Sequence, residues 1–192
     1  MPAIHSVAVF CGSRSGSNPA FSAAARELGR GLADSGMRLV YGGGRVGLMG
    51  AVADAVLEAG GQIMGVIPEF LTRREVAHTA VDLTVTDSMH SRKQRMFAEA
   101  DVFVSLPGGL GTLDETIEII TWRQLGLHDK PIVLCDIAGS AAPLRSVIDA
   151  AIDNGFAPPQ VRDLFLVAQG VPALLRCLRG LLPGADVSAD RF

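Results

Sequence analysis

The stretch DVFVSLPGGLGTLDE, Asp101–Glu115, decides the fold. Its opening, Asp101–Ser105, has the β-branched and aromatic composition of a buried strand. Gly108, Gly109 and Gly111 then fall within four positions and strip the side chains from a loop. A helical pattern begins at once, with Asp114 and Glu115 near its start. Strand, bare loop and helix in immediate succession form half of a βαβ unit, which asks whether the rest of the chain repeats it.

The same alternation runs along nearly the whole sequence. Seven strands are expected, at Ser6–Phe10, Met37–Tyr41, Gln62–Ile67, Val81–Thr86, Asp101–Ser105, Pro131–Cys135 and Leu164–Val167, with helices between most of them. The first helix shows the pattern: Asn18 caps, Pro19 suits the first turn, and Phe21, Ala24, Ala25, Leu28 and Leu32 recur on one face. The expected class is α/β, a single domain over residues 1–182 with a doubly wound parallel sheet of about seven strands flanked by helices. PGADVSADRF reads as a loose tail, 183–192.

Composition limits the function. A chain of 192 residues with 48% hydrophobic and 19% charged residues buries one sizeable core. It has no apolar run of about 18 residues, and MPAIHSVAVFCGS lacks the basic start of a signal peptide, so a soluble cytoplasmic protein is expected. Twenty acids against 17 bases give a net charge of −3 without a basic block, which disfavours nucleic-acid and membrane partners. Cys11, Cys135 and Cys177 are scattered, and His5, His78, His90 and His128 form no ligand spacing. Neither a metal nor a disulfide is expected.

In an open parallel sheet, ligands bind beyond the carboxyl ends of the strands. The loops there are CGSRSGSN, GGGRVG, PEF, DSMHSRK and PGGLGT, so Gly12, Ser13, Gly43 and Gly44 become candidate contacts. PEFLTRREVAHTA, Pro68–Ala80, is too polar for a strand and reads as a flap near a site. Gly42–Gly47 satisfies GxGxxG, with Glu69 some 22 residues on. It has three readings: a tight turn with a close helix approach, a phosphate or ribose contact, or a dinucleotide site. In Pro107–Thr112, glycines bare the backbone N–H groups and the following helix adds its positive end, which makes an anion site. The lysine of a Walker A loop is missing. Thr112-Leu113-Asp114-Glu115 matches a capping box, yet a carboxylate beside an anion site also suits a sugar hydroxyl, a water or a developing positive charge. In DSMHSRKQRMFAEA, a helix starting near Asp87 or Ser88 puts Arg92 and Lys93 on the face shared with Met89, Met96 and Phe97. An inward guanidinium there is either half of a buried ion pair or an anion ligand.

These residues resemble the Lonely Guy (LOG) family, phosphoribohydrolases that release cytokinin bases from their riboside 5′-monophosphates. PGGLGTLDE is similar to the family's PGGxGTxxE, and SMHSRK to its motif around MHxRK. VFCGSRSG, LVYGGGRVGLMG, GVIPEFL and ITWRQLGLHDKP extend the likeness over approximately residues 6 to 180. The resemblance implies a Rossmann-like fold, a nucleotide substrate, no cofactor and a homodimer whose interface contributes to the site. It assigns Arg92 and Glu115 as the catalytic pair. Glu75, Lys93, Gly108, Gly109, Leu110, Gly111, Thr112, Leu113, Asp114 and Thr121 are implied as substrate contacts. The helix bearing Ile117, Ile119, Ile120, Trp122 and Leu125 is apolar on more than one face and meets either its own domain or a second subunit. Rival readings are a nucleotide sensor, an NAD(P) oxidoreductase suggested by GGGRVG, and a pyridoxal decarboxylase. The last has only Lys93 and Lys130 to offer for a Schiff base.

Overall fold

The computed structural model describes residues 4–72 and 77–181. Seven strands form one sheet: β1 Ser6–Phe10, β2 Arg38–Tyr41, β3 Ile63–Pro68, β4 Leu83–Thr86, β5 Val102–Ser105, β6 Ile132–Asp136 and β7 Leu166–Gln169. Among the described residues six α-helices accompany them: α1 Pro19–Asp34, α2 Gly47–Glu58, α3 Met89–Glu99, α4 Leu110–Gln124, α5 Ala142–Asp153 and α6 Gly170–Gly180. All strand pairs are parallel, in the order β4-β3-β2-β1-β5-β6-β7. The chain builds outward from β1 to β4, returns to lay β5 against β1, and builds outward the other way. Strand order therefore reverses between β1 and β5, where adjacent loops diverge and leave a crevice.

Two cores lie on the two faces. Leu28, Leu32, Val52, Val56 and Leu174 from α1, α2 and α6 cover Val7, Val9, Leu39 and Tyr41. Met96, Ile119, Ile120, Leu144 and Ile148 from α3, α4 and α5 cover Ala8, Phe10, Val40 and Phe103. Consecutive β1 residues thus enter opposite cores, which is why all five are buried and the strand reads as a continuous apolar run.

All seven expected strands are present. The start of β4 moves to Leu83, and β7 moves to Leu166–Gln169 because Pro159–Leu164 winds into a 3-10 turn. A larger correction concerns α4. The sequence pattern made Thr112 its cap, whereas the cap is Gly109 and the helix starts at Leu110. Thr112 is therefore the third helical residue, its side chain folded against Gly108, and the first turn carries no acid. No side chain caps the helix, so its first amide groups have no partner within the helix. Glu115 enters the second turn, too far along to close a capping box.

The 3-10 turn Glu69–Leu71 begins the segment read as a flap. Glu75 and the tail 183–192 lie outside the described residues.

Candidate active site

The site is assembled from the segments that follow β1 to β5 at their carboxyl ends, around the β1/β5 reversal. Leu106 N–H donates to Phe10 O at 2.9 Å, Gly12 N–H to Pro107 O at 3.1 Å, and Leu48 N–H to Gly12 O at 2.9 Å. A Cβ on Gly12 would stand 3.3 Å from Gly108 Cα, so the two loops touch through their bare backbones. On one side lies a cavity of about 220 Å³ bounded by Ser13, Arg92, Gly109–Thr112 and Glu115. On the other lies an open chamber of about 630 Å³ walled by Gly12–Gly16, Pro107–Leu110 and Ser140. Ser13, Gly109 and Leu110 border both. A larger hollow, about 880 Å³, runs along β7 between α5 and α6, but it lies away from the glycine loops and their converging polar groups.

Helix α3 delivers the guanidinium. Its start is fixed by Ser88, whose Oγ accepts from Ser91 N–H at 3.1 Å while Ser91 Oγ accepts from Ser88 N–H at 3.2 Å, a reciprocal capping box. Ser91 also donates to Asp87, and hydrogen bonds from Ser91 and Ser88 hold the Asp87 carboxyl below its usual range. With the start fixed, Arg92 faces inward at 5% exposure, one turn before fully buried Met96. Its Nη2 stands 3.5 Å from Gly42 O and 3.9 Å from Glu115 Oε1. Among the described residues its Nε has no hydrogen-bond partner. A buried guanidinium with an idle donor is costly in isolation, so the arrangement favours an acceptor arriving from the cavity.

Helix α4 delivers the carboxylate. Thr116 Oγ donates to Thr112 O at 2.6 Å and lies 2.9 Å from Ser105 Oγ, so the helix start is stitched to the end of β5. This turns Glu115, 9% exposed, toward Arg92. Among the described residues, Gly109 and Gly111 have no neighbour within 4 Å of where a Cβ would be, so their backbones lie open.

Lys93, adjacent to Arg92, takes a different course. Its ammonium sits 2.6 Å from Asp114 and 3.0 Å from Glu118, tying α3 to α4. Burial opposes its charge, but the two carboxylates outweigh that and raise its pKa. Lys130 donates to Phe97 O at 2.7 Å and lies 4.3 Å above the Phe97 ring. Neither lysine borders the cavity as a Schiff-base partner would. Cys135 is a buried thiol, and burial pushes it up to about 12, which leaves it inert. Among the described residues, no group of three or more His, Cys, Asp and Glu side chains is placed to hold a metal.

The structure brings together Ser13, Arg92, Gly109, Leu110, Gly111, Thr112, Asp114 and Glu115 around the cavity. Gly12 and Gly108 border the neighbouring chamber. Gly43 and Gly44 lie behind the wall: Gly43 holds a φ of +76° against Ile67 and Leu83, and Gly44 bridges to Ala77. Leu113 and Thr121 fall on the exposed side of α4. GGGRVG follows β2, one strand away from the reversal, and its glycines serve close packing. A Cβ on Gly47 would stand 2.4 Å from the Ser13 backbone, and one on Gly50 2.1 Å from Arg45 O. Sequence reasoning did not select Gly42, Phe10, Met49, Leu71, Met89 or Met96 as site residues, yet all border the cavity. Their apolar side chains look the same as core residues in a sequence, and only Gly42, inside the triplet glycine, carried a local signal.

Fold and site together define a Rossmann-like α/β protein that presents uncapped amides and a guanidinium–carboxylate pair to one small crevice. Residues 49–178 match the family model described as "Possible lysine decarboxylase". A rice protein (Oryza sativa subsp. japonica), named probable cytokinin riboside 5′-monophosphate phosphoribohydrolase LOGL9, is 46% identical over 92% of this chain and 78% of its own length. An Arabidopsis thaliana protein, cytokinin riboside 5′-monophosphate phosphoribohydrolase LOG5, is 43% identical over 94% of this chain and 79% of its own length. The chain belongs to this Lonely Guy (LOG) family. Among solved structures, the molybdenum cofactor carrier protein of Chlamydomonas reinhardtii shares the fold, with a TM-score of 0.69 at 24% identity over 92% of this chain and 96% of its own.

Proposed function

We propose that this chain hydrolyses the N-glycosidic bond of adenosine 5′-monophosphates, N6-modified ones included, to free base and ribose 5-phosphate. The observation that carries this is the convergence of Arg92 and Glu115, from separate segments, to 3.9 Å beside the uncapped start of α4. The open amides of the Gly108–Thr112 turn suit a 5′-phosphate. Phe10, Met49, Leu71, Met89 and Met96 supply an apolar, adaptable wall for a purine and an alkyl substituent on it.

Cleavage transfers the electron pair of the C1′–N bond to the base, which takes up a proton, while water adds to C1′ and gives up a proton. Positive charge builds on the ribose as the bond lengthens. Glu115 is placed to stabilise that charge and to orient the ribose hydroxyls or the water. Arg92 completes the phosphate clamp or assists the departing base. The reaction needs no electron carrier and no metal in this scheme, and the decarboxylase description has no Schiff-base lysine at the cavity to act through.

The proposal extends to a homodimer in the cytoplasm. Leu110, Leu113, Ile117 and Thr121 share one stripe of α4, and Leu110 is 85% exposed. A second copy covering that stripe would bury it and bring Thr121 toward a neighbouring site. Among the described residues no helix is long and apolar enough to cross a membrane.

The test is a chromatographic assay for free base, offering AMP and N6-isopentenyl-AMP beside the matching nucleosides. Base release from the nucleotides alone is expected. Equal turnover of the nucleosides would refute the role of PGGLGT, and tight nucleotide binding without base release would make the protein a sensor.

A further inference from the structure

Outside the cavity, one buried polar group is engaged on every side yet has no part in the proposed chemistry. His78 is 3% exposed, and its Nδ1 accepts from Ala80 N–H at 3.3 Å. That fixes the ring proton on Nε2, which faces Asp54 Oδ1 of α2 at 3.0 Å. The His78 backbone N–H donates to Gly43 O at 3.0 Å, and the preceding Ala77 bridges to Gly44. Ala77 N–H also donates to Thr72 O at 2.9 Å, next to Leu71 in the cavity wall. On the other side of the glycine turn, Gly42 O stands 3.5 Å from Arg92 Nη2, and a Cβ on Gly42 would fall 2.1 Å from that nitrogen. The guanidinium thus rests on a turn that has no side chains of its own to hold it in place. What holds the turn from behind is the segment His78 anchors.

We infer that His78 and Asp54 form a positioning clamp for Arg92: the pair fixes residues 77–80 against Gly43 and Gly44, and so sets the height of the Gly42 carbonyl beneath the guanidinium. The inference rests on the assignment of Arg92 to the reacting pair. His78 and Asp54 touch no reacting atom and are not catalytic residues. Two features favour this role over simple packing. Asp54 Oδ1 is the partner that orients the ring, and the ring's other nitrogen is spent on the backbone of the same segment, so the pair orders the backbone rather than filling space. The contact is also non-local, since residues 24 positions apart along the chain hold a turn, Gly42–Gly44, that precedes both of them in sequence.

The test measures kcat and KM on AMP, together with hydrogen–deuterium exchange, for Asp54→Ala, Asp54→Asn and His78→Ala. Misplacing a reacting group by about 1 Å costs on the order of 10²-fold in rate, so Asp54→Ala should lose about 10- to 100-fold in kcat with KM within about threefold. Asp54→Asn keeps an oxygen for the Nε2 proton and should recover most of that loss, even if His78→Ala fails to fold. Amide exchange over residues 42–44 and 77–80 should quicken in Asp54→Ala. In an Arg92→Lys background the cost of Asp54→Ala should shrink to below about twofold, because coupled residues are not additive. Wild-type kcat in Asp54→Ala, or an undiminished loss in the Arg92→Lys background, overturns the clamp. If the wild-type protein releases base from no nucleotide, the assignment of Arg92 fails instead, and exchange decides the clamp alone: unchanged exchange in Asp54→Ala refutes it and faster exchange upholds it.

Discussion

Gly42–Gly47 and Pro107–Thr112 are both glycine-rich turns between a strand and a helix, but the physical demands on them differ. A Cβ on Gly42, Gly47 or Gly50 would fall within 2.4 Å of a neighbouring heavy atom, whereas Gly109 and Gly111 have nothing within 4 Å among the described residues. The first turn is glycine-rich because protein atoms press on it. The second, at Gly109 and Gly111, is bare without being crowded, which suits the ligand proposed for it. Position in the sheet explains the contrast, since β5 borders the reversal of strand order and β2 does not. Glycine content alone therefore does not separate the two turns; the space around their glycines and their place in the sheet do.

The largest effect that would sharpen this comparison belongs to the residues facing the open loop. Glu115→Gln and Arg92→Ala should each lose on the order of 10² to 10³ in base release from AMP, measured chromatographically. Wild-type turnover in Glu115→Gln would end the assignment. Gly42→Ala should come next, with kcat down by roughly 10²-fold, because the new methyl group occupies the space of Arg92 Nη2. The crowded and open loops should then separate in thermal unfolding. Gly47→Ala combines a φ of +60° with overlap on Ser13 and should destabilise by about 2–4 kcal/mol. Gly109→Ala should cost less than about 1 kcal/mol while raising KM for the nucleotide. If the two variants unfold at the same temperature, the distinction between crowded and open glycines is wrong.

The smallest expected effect concerns acid stability behind the site. His128 Nε2 lies 2.9 Å from Ile119 O, its Nδ1 has no partner among the described residues, and its ring packs edge-on to Phe97 and Phe103. Burial lowers its pKa below 6.5. Below pH 6.5 the unfolded chain therefore takes up a proton that the folded one refuses, and stability falls as pH drops from there toward the folded pKa. His128→Gln keeps an amide donor for Ile119 O and should flatten the slope in denaturant titrations between pH 7 and 5.

Much of the architecture was legible before any coordinates. Apolar β-branched runs spaced by helical periodicity located all seven strands; the five inner ones are largely buried on both faces and have a composition that surface segments lack, whereas the edge strands β4 and β7 are partly exposed and their bounds moved. The inward turn of Arg92 also followed from its row on α3. The start of α4 did not: Thr112 and Glu115 mimic a capping box at the correct spacing, and nothing local reveals that Gly109 adopts the cap conformation first. The partners of Lys93 were hidden for the same reason, since Asp114 and Glu118 lie on another helix.

Periodicity and residues adjacent along the chain set the elements, their order, the bare loop at Pro107–Thr112 and the chemical types near it, so these could be read in advance. Contacts between distant segments alone make Arg92 face Glu115 across a cavity with Gly42 beneath it, pack GGGRVG and bring His78 onto Asp54. Those are distances between segments far apart in the chain, fixed by the way β5 returns to lie beside β1.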